Sequence, residues 1–339
     1  MQFGQVQPEE LETLDFCLAQ EPLFNQQILP GTKNNEAKIY IGCAKWGRQE
    51  WIGKVYPEKT KEKDFLQYYV QHYNSIELNA THYKIYGSRA IEKWNEKAEG
   101  RDFLFCPKMY KGITHFGRLT GKDFLTTEFF RGILAFGKHL GPVFIQVSEV
   151  FSPKRKEELF TFLKSLPTDM QFFLEVRHAD WFKKDNAEEL FQTLHALNIG
   201  AVITDTAGKR DCAHMYLTVS KTFIRYVGNS LHHTDYTRID VWVERMKYWL
   251  SKGINDIYFF MHMHNEATSP DLTVYLVDKM NKECGLNLMK PKFINAEKQK
   301  PSHRLGSLNS GARTRNRTKD TGIFNPLLYR LSYPGNGAH

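Results

Sequence analysis

The residues with the most chemical potential sit at the ends of short apolar runs. Phe172-Phe173-Leu174-Glu175-Val176-Arg177-His178 has the composition of a buried strand. Alternate side chains of a strand face opposite ways, so Phe173, Glu175 and Arg177 share one face. A carboxylate and a guanidinium on a buried face are costly unless paired or used. The pattern recurs along the chain: Glu77 and Asn79 in one run, then Lys108, Gln146, Asp205, Arg225, and the His262 and His264 pair. Lys108, Arg177 and Arg225 are suited to gripping a small anion, because a guanidinium fork matches phosphate or carboxylate. Glu175, Glu77 and Asp205 are the candidates for general acid and base. Two carboxylates at glycosidase spacing would also suit a sugar, with Trp46 and Tyr83 available to stack on it and His115 as a proton shuttle. Asn79, Gln146, His262 and His264 complete the ligand-binding set. The bland alternative is a network of structural ion pairs that satisfy only one another.

A divalent metal on His262, His264, Glu77, Glu175 and Asp205 is the lesser possibility, since such mixed ligands suit zinc or manganese. The interleaved Arg and Lys would repel a cation, so neither a metal nor another cofactor is expected.

Positioning these groups requires strands that all run the same way. Strand-like runs occupy 39–45, 75–81, 102–108, 142–148, 171–177, 200–205, 222–227 and 256–263. Helical patterns fill 62–73, 88–98, 122–139, 154–165, 186–197, 237–252 and 268–283, and the link 206–221 is the least helix-like. Strands alternating with helices imply parallel βαβ units, and eight of them over about 250 residues match a (β/α)8 TIM barrel. A doubly wound sheet would more often carry a Gly-rich turn after its first strand; Gly42-Cys43-Ala44-Lys45-Trp46-Gly47 is not one. Helices cover a barrel's outside, so each strand's more apolar face should point outward. That rule turns Glu77, Lys108, Gln146, Glu175, Arg177, Arg225 and His262 inward. On the sixth strand it puts Val202 and Thr204 outward and Asp205 inward. The C-terminal strand ends, where this fold keeps its sites, therefore receive the polar groups.

The chain has 339 residues and a net charge of +8. Nine Lys/Arg and only two acids lie beyond residue 291, leaving 37 basic and 36 acidic residues before it. The near-neutral body argues against nucleic acid as the barrel's partner. Five cysteines without a CxxC motif point to reduced thiols. With no leader-like N-terminus and no apolar run of about 18 residues, a cytoplasmic protein without membrane contact is expected. Residues 1–37 form an N-terminal extension, 38–292 the barrel, and 293–339 a disordered basic tail. Leu327–Tyr333 can be encoded by the antisense of a transfer-RNA D-arm, which offers read-through as the tail's origin. Oligomeric state leaves no sequence signal.

In motif order the chain resembles the DUF72 (YecE-like) family. The matching pieces are Gly42-Cys43-Ala44-Lys45-Trp46, Trp51-Ile52-Gly53-Lys54-Val55-Tyr56-Pro57 and Ile76-Glu77-Leu78-Asn79-Ala80-Thr81-His82-Tyr83. Pro107-Lys108, Ile113-Thr114-His115, Leu140-Gly141-Pro142-Val143-Phe144-Ile145-Gln146, Glu175-Val176-Arg177-His178-Ala179-Asp180-Trp181, Asp205 and Arg225 follow. Many members resemble Gly-Thr-Ser-Gly-Trp at the first strand, and the usual Asn pair of the eighth appears here as His262-Met263-His264-Asn265. The resemblance implies a (β/α)8 barrel and supplies no reaction. The combined expectation is an enzyme acting on a small anionic or sugar-like substrate by carboxylate acid/base chemistry at the barrel's C-terminal face. A non-enzymatic ligand- or RNA-binding barrel is the alternative.

Overall fold

The computed structural model describes residues 3–294. The tail is expected over 293–339; of it only Phe293 and Ile294 are described, and its read-through origin concerns residues that lie outside the described ones.

Eight parallel strands form a nearly closed barrel. They are β1 (Lys38–Cys43), β2 (Ser75–Leu78), β3 (Leu104–Pro107), β4 (Val143–Gln146), β5 (Phe172–Glu175), β6 (Gly200–Asp205), β7 (Lys221–Gly228) and β8 (Asp256–Met263). Six strands pair in the order β1-β8-β7-β6-β5-β4, and β2 pairs with β3. Bridges Phe105–Leu140 and Lys108–Phe144 join β3 to the β4 region.

The seam between β1 and β2 closes by side chains. The Asn74 amide donates to Ile39 O at 2.8 Å and accepts from Ile41 N at 2.7 Å. The Tyr69 hydroxyl accepts from Cys43 N at 2.7 Å and donates to Ser75 O at 2.9 Å. Gly42 permits this approach: a Cβ there would meet Ser75 O at 2.0 Å.

The helices are α1 (Phe65–Tyr69), α2 (Ala80–Tyr83), α3 (Ser88–Ala98), α4 (Lys111–Thr114), α5 (Asp123–Ile133), α6 (Lys156–Lys164), α7 (Lys184–Ala196), α8 (His233–Ser251) and α9 (Ser269–Cys284). Helix α8 shows why they pack as they do. Ile239, Trp242, Val243, Met246, Trp249 and Leu250 recur every three or four residues and are all buried, giving one apolar stripe toward the sheet. The β6–β7 link contains only a short 3-10 turn, Arg210–Cys212, as its sequence suggests. No helix among the described residues is long and apolar enough to cross a membrane.

Two apolar layers result. The larger lies between strands and helices; the smaller fills the barrel with Tyr40, Phe144, Phe173, Val202, Phe223, Tyr258 and Phe260. Tyr40 stacks on Tyr258 at 5.0 Å and Phe144 on Phe223 at 5.3 Å. This aromatic plug leaves the interior's C-terminal end to the polar groups.

The N-terminal extension is tied to the barrel along its length. Gly31 N donates to Lys252 O at 3.0 Å, the Asn25 side chain to Met215 O at 2.9 Å, and Arg245 Nη1 to Glu21 at 3.0 Å. Its first described residues reach the β6 C-terminal loop. Thr206 donates to Phe3 O and Gly4 O, and Gly208 N donates to Gly4 O at 2.8 Å. Gly4 is required there: its φ is +66°, and a Cβ would strike Thr206 at 2.4 Å.

Candidate active site at the C-terminal mouth

Arg225, on β7, is the centre of the polar interior. Its Nε and Nη2 donate to Glu77 Oε2 and Oε1 at 2.8 and 2.9 Å. Its Nη1 donates to both oxygens of Glu175 at 3.1 Å. One guanidinium thus joins β2 and β5 across the barrel, in the bidentate geometry that strengthens such pairs.

The rest of each carboxylate is also occupied. Glu77 accepts from Asn79 Nδ2 at 2.8 Å and lies 3.0 Å from His262 Nε2. Glu175 accepts from Arg177 Nε at 3.1 Å, Arg177 Nη2 at 3.3 Å and Thr204 Oγ1 at 2.6 Å. Burial opposes their charge, but the cations outweigh it. Arg225 and His262 hold Glu77 well below the carboxylate range. Arg177, Arg225 and Lys108 bring Glu175 down to about 2. Both are anchored anions near neutral pH, with no proton to donate as a general acid and only weak basicity.

Lys108 is different. Its Nζ donates to Gln146 Oε1 at 2.6 Å and lies 5.2 Å from the centre of the Phe144 ring. Among the described residues it has no salt-bridge partner. Burial, followed by the Arg225 charge, lowers its pKa to about 7. A buried amine beside fixed cations is the arrangement that makes lysine a base or nucleophile at neutral pH.

His115 follows β3 on the α4 turn, with Nδ1 2.8 Å from Thr114 Oγ1. Burial and the charges of Lys108 and Arg177 lower it to about 4. Its ring stands edge-on to that of His82 at 4.8 Å. His82 Nδ1 lies 2.8 Å from Met109 O, and burial with Lys108 lowers it to about 3. Both are neutral imidazoles at pH 7.

Much of the expected set lies together: Glu77, Asn79, Glu175, Arg177, Arg225 and His262 form one hydrogen-bonded group, and the Lys108–Gln146 pair shares the Phe144 ring with Arg225, with His115 nearby. His264 lies past β8, where its N donates to Gly228 O at 3.1 Å. Trp46 packs edge-on against Trp94 at 5.3 Å. Tyr83 is exposed, with Lys111 Nζ 5.2 Å from its ring.

Asp205 is a correction. It points outward, accepting from Trp242 Nε1 at 2.7 Å and pairing with Arg238 at 3.0 Å and with Arg210. Register explains why. Thr204 is the lateral partner of Arg225 and Asp205 that of Tyr226, and paired residues of a parallel ladder face the same side. Val202 joins the interior plug and Thr204 bonds Glu175, so the inferred faces of β6 are reversed. With Asp205 outside and Arg225 between the glutamates, the metal ligand set drawn from sequence is not gathered.

Three participants escaped the sequence reading. Thr204 faces inward, opposite to the apolar-face rule, and bonds Glu175. His82 falls on the turn after β2, where no periodicity marks it. Phe3 comes from an extension that offered no chemistry, yet the Arg177 guanidinium lies 3.7 Å from its ring centre. Glu149 also reaches Arg177 Nη1, at 3.6 Å from the exposed rim. The mouth is thus covered: Glu77, Glu175 and Arg225 are at most 1% exposed. Open clefts of about 310 and 350 Å³ lie elsewhere, against Glu21 and Tyr248 and around Gly141 and Lys221.

Comparison with known proteins identifies the group. The family described as "Protein of unknown function DUF72" matches residues 40–295. The chain belongs to the DUF72 family. The UPF0759 protein YecE of Escherichia coli is 27% identical over 263 residues, which cover 72% of this chain and 93% of YecE. YunF of Bacillus subtilis is 28% identical over 165 residues, covering 47% and 57% of the two chains. A crystallised DUF72 protein of Enterococcus faecalis superposes with a TM-score of 0.59 at 15% identity, over 75% of this chain and all of that one. One from Thermotoga maritima gives 0.54 at 22%, over 74% of this chain and 100% of that one. These likenesses establish the DUF72 barrel as the common fold. The DUF72 match begins at Tyr40, so Phe3, the residue stacked on Arg177, lies outside it.

Proposed function

We propose that the C-terminal mouth is the active site of an enzyme that binds a small anionic substrate, phosphate- or carboxylate-bearing, and moves a proton with Lys108. The observation that carries this reading is Lys108 itself: a buried amine hydrogen-bonded to a neutral amide, with Arg225 and Arg177 adding charge against it. A negative group entering beside it would restore its affinity for a proton. The amine therefore takes up a proton as the anion binds and holds it beside the substrate as a general acid. Arg177 is the anchoring cation, its guanidinium covered by Phe3 and bound at the rim by Glu149. Glu77 and Glu175 hold Arg225 and Arg177 in place and serve as positioning residues. His115 and His82, both uncharged, are suited to relaying a proton or to hydrogen-bonding a sugar-like hydroxyl. A pure binder would need the cations but has no use for an amine poised near pH 7, which favours the enzyme over a ligand- or RNA-binding barrel.

The test is calorimetric titration with inorganic phosphate and a panel of small hydroxy acids and sugar phosphates at pH 7.5, in buffers of different ionisation enthalpy. The expected result is binding with net proton uptake, which Lys108→Met abolishes while Arg177→Ala weakens the affinity. If no anion binds, or if Lys108→Met takes up the same number of protons, the reading fails.

A further inference from the structure

Away from the mouth's ion-pair network, one further set of ligand-type side chains converges among the described residues. Glu12 of the N-terminal extension and His232 and His233 before and at the start of α8 bring one ligand atom each within 4.8 Å of one another. Glu12 Oε1 lies 2.8 Å from His233 Nε2 and 3.3 Å from His232 Nε2. None of these groups shares the contact with Lys or Arg, unlike Glu77 and Glu175.

Two consecutive residues do not ordinarily aim at one point, and the backbone shows how it is done here. Ser230 and Leu231 both have positive φ, 61° and 67°, a costly conformation for side-chain-bearing residues that persists only when the surroundings enforce it. The buried Asp235 carboxylate enforces it by accepting from Asn229 N at 2.8 Å and Leu231 N at 3.0 Å. The two imidazoles then lie side by side, with centroids 4.4 Å apart. His232 Nδ1 sits 2.9 Å from Thr234 Oγ1 and 3.4 Å from Thr234 N, with Nε2 facing Glu12; ligation through Nε2 has Nδ1 donate its proton to that hydroxyl. A hydrogen bond on the far nitrogen is how proteins orient a ligating imidazole.

We propose that Glu12, His232 and His233 form a Zn²⁺ site that fastens the N-terminal extension to the barrel rim. Zinc binds imidazole nitrogen and carboxylate oxygen at about 2.0–2.2 Å in a tetrahedron, whose edges are then about 3.3 Å. The observed separations of 2.8 and 3.3 Å need only small side-chain rotations to surround an ion. Two imidazoles and one carboxylate favour zinc over magnesium or calcium, which prefer all-oxygen shells. Three protein ligands leave a fourth position for water. The site also bears on the mouth, because Glu12 lies nine residues after Phe3. Fixing Glu12 shortens the tether of the segment that stacks on Arg177 and bonds to Thr206. The proposal stands independently of the reaction assigned to that mouth.

The experiment uses the full chain, stripped with a chelator and titrated with Zn²⁺ by calorimetry at pH 7.5. One Zn²⁺ per chain is expected, untouched by millimolar Mg²⁺. Glu12→Gln, His232→Gln and His233→Gln should each weaken it at least about tenfold, the lower range for losing even an outer-shell partner. Zn²⁺ should slow proteolysis of the extension in the wild type and not in Glu12→Gln. Glu12 and His233 are exposed and His232 is partly buried at the α8 cap, and unchanged metal-free melting of each variant controls for folding. Equal Zn²⁺ affinity in the triple variant overturns the proposal. So does loss of binding in the histidine variants with Glu12→Gln unaffected, because the extension is then not held by the ion.

Discussion

Lys108→Met keeps the length and apolar stem of the side chain and deletes only its charge, so it reports what the mouth pays to hold a cation. In the unfolded chain a lysine keeps its proton to about pH 10.4; in the folded protein Lys108 releases it at about 7. Between those values the unfolded state binds more protons, so wild-type stability rises with pH. The slope is at most about 1.4 kcal/mol per pH unit, which accumulates to about 3 kcal/mol between pH 7 and 9.5. Below pH 7 both states are protonated and the folded protein carries the full penalty. The methionine variant lacks this contribution. Its stability advantage over wild type should be largest at pH 6 and shrink by about 3 kcal/mol by pH 9.5. Urea unfolding of both proteins at half-unit intervals measures it. Saturating phosphate in the mouth should move the window upward, since an anion restores the lysine's proton affinity. A difference that stays constant with pH would show that Lys108 titrates as an ordinary lysine. One that grows with pH would place it in a stabilising ion pair. Either result removes the physical basis for a proton-handling amine.

Other perturbations separate structural from functional charges. Glu175→Gln looks from sequence like a simple loss of a catalytic acid; here it strips Arg225 and Arg177 of a buried partner, and denaturant titration should show a loss of about 3–5 kcal/mol. Because Glu175 is held at about 2, its contribution is complete above the unfolded carboxyl pKa of about 4.3 and disappears as pH falls toward 2. An acid titration of stability, wild type against variant, should converge in that window. Asp205→Asn should cost a similar amount through Arg238, Arg210 and Trp242, yet leave phosphate affinity at the mouth within twofold. Asn74→Ala opens two hydrogen bonds at the β1–β2 seam, with an expected cost of about 1–3 kcal/mol. Hydrogen exchange should show the added opening at the Ile41 amide before it reaches β6–β8.

The sequence carries most of the barrel, because alternation of apolar strands with amphipathic helices is a local property. Face assignment succeeds wherever one face is plainly more polar. Ile76 and Leu78 face the helices and leave Glu77 inside; Val143 and Ile145 do the same for Gln146. It fails on β6, where Ala201 and Ile203 are as apolar as Val202 and Thr204, so polarity cannot choose. Only the lateral pairing of Thr204 with Arg225 decides, and pairing is a long-range fact. The roles of Glu77 and Glu175 were illegible for a related reason. Residue type marks a carboxylate as a candidate base, whereas the donors crowding its oxygens include Thr204, Arg225 and His262 from three strands distant in sequence. The contact between Phe3 and Arg177 joins residues more than 170 positions apart and leaves no local trace.

Arg225 also has a bearing on how the chain comes together. Its carboxylate partners stand 148 and 50 residues away. Cut between β4 and β5, the N-terminal half would keep Glu77 and Lys108, and the C-terminal half would keep Glu175, Arg177 and Arg225. Neither half can neutralise its own interior with the geometry it was built for, so each would expose a charged wound where its sister should be. One guanidinium thus ties the two halves together, bridging Glu77 of one and Glu175 of the other. Its last free-energy gain arrives only when the ring has closed, which ties completion of the polar mouth to completion of the fold.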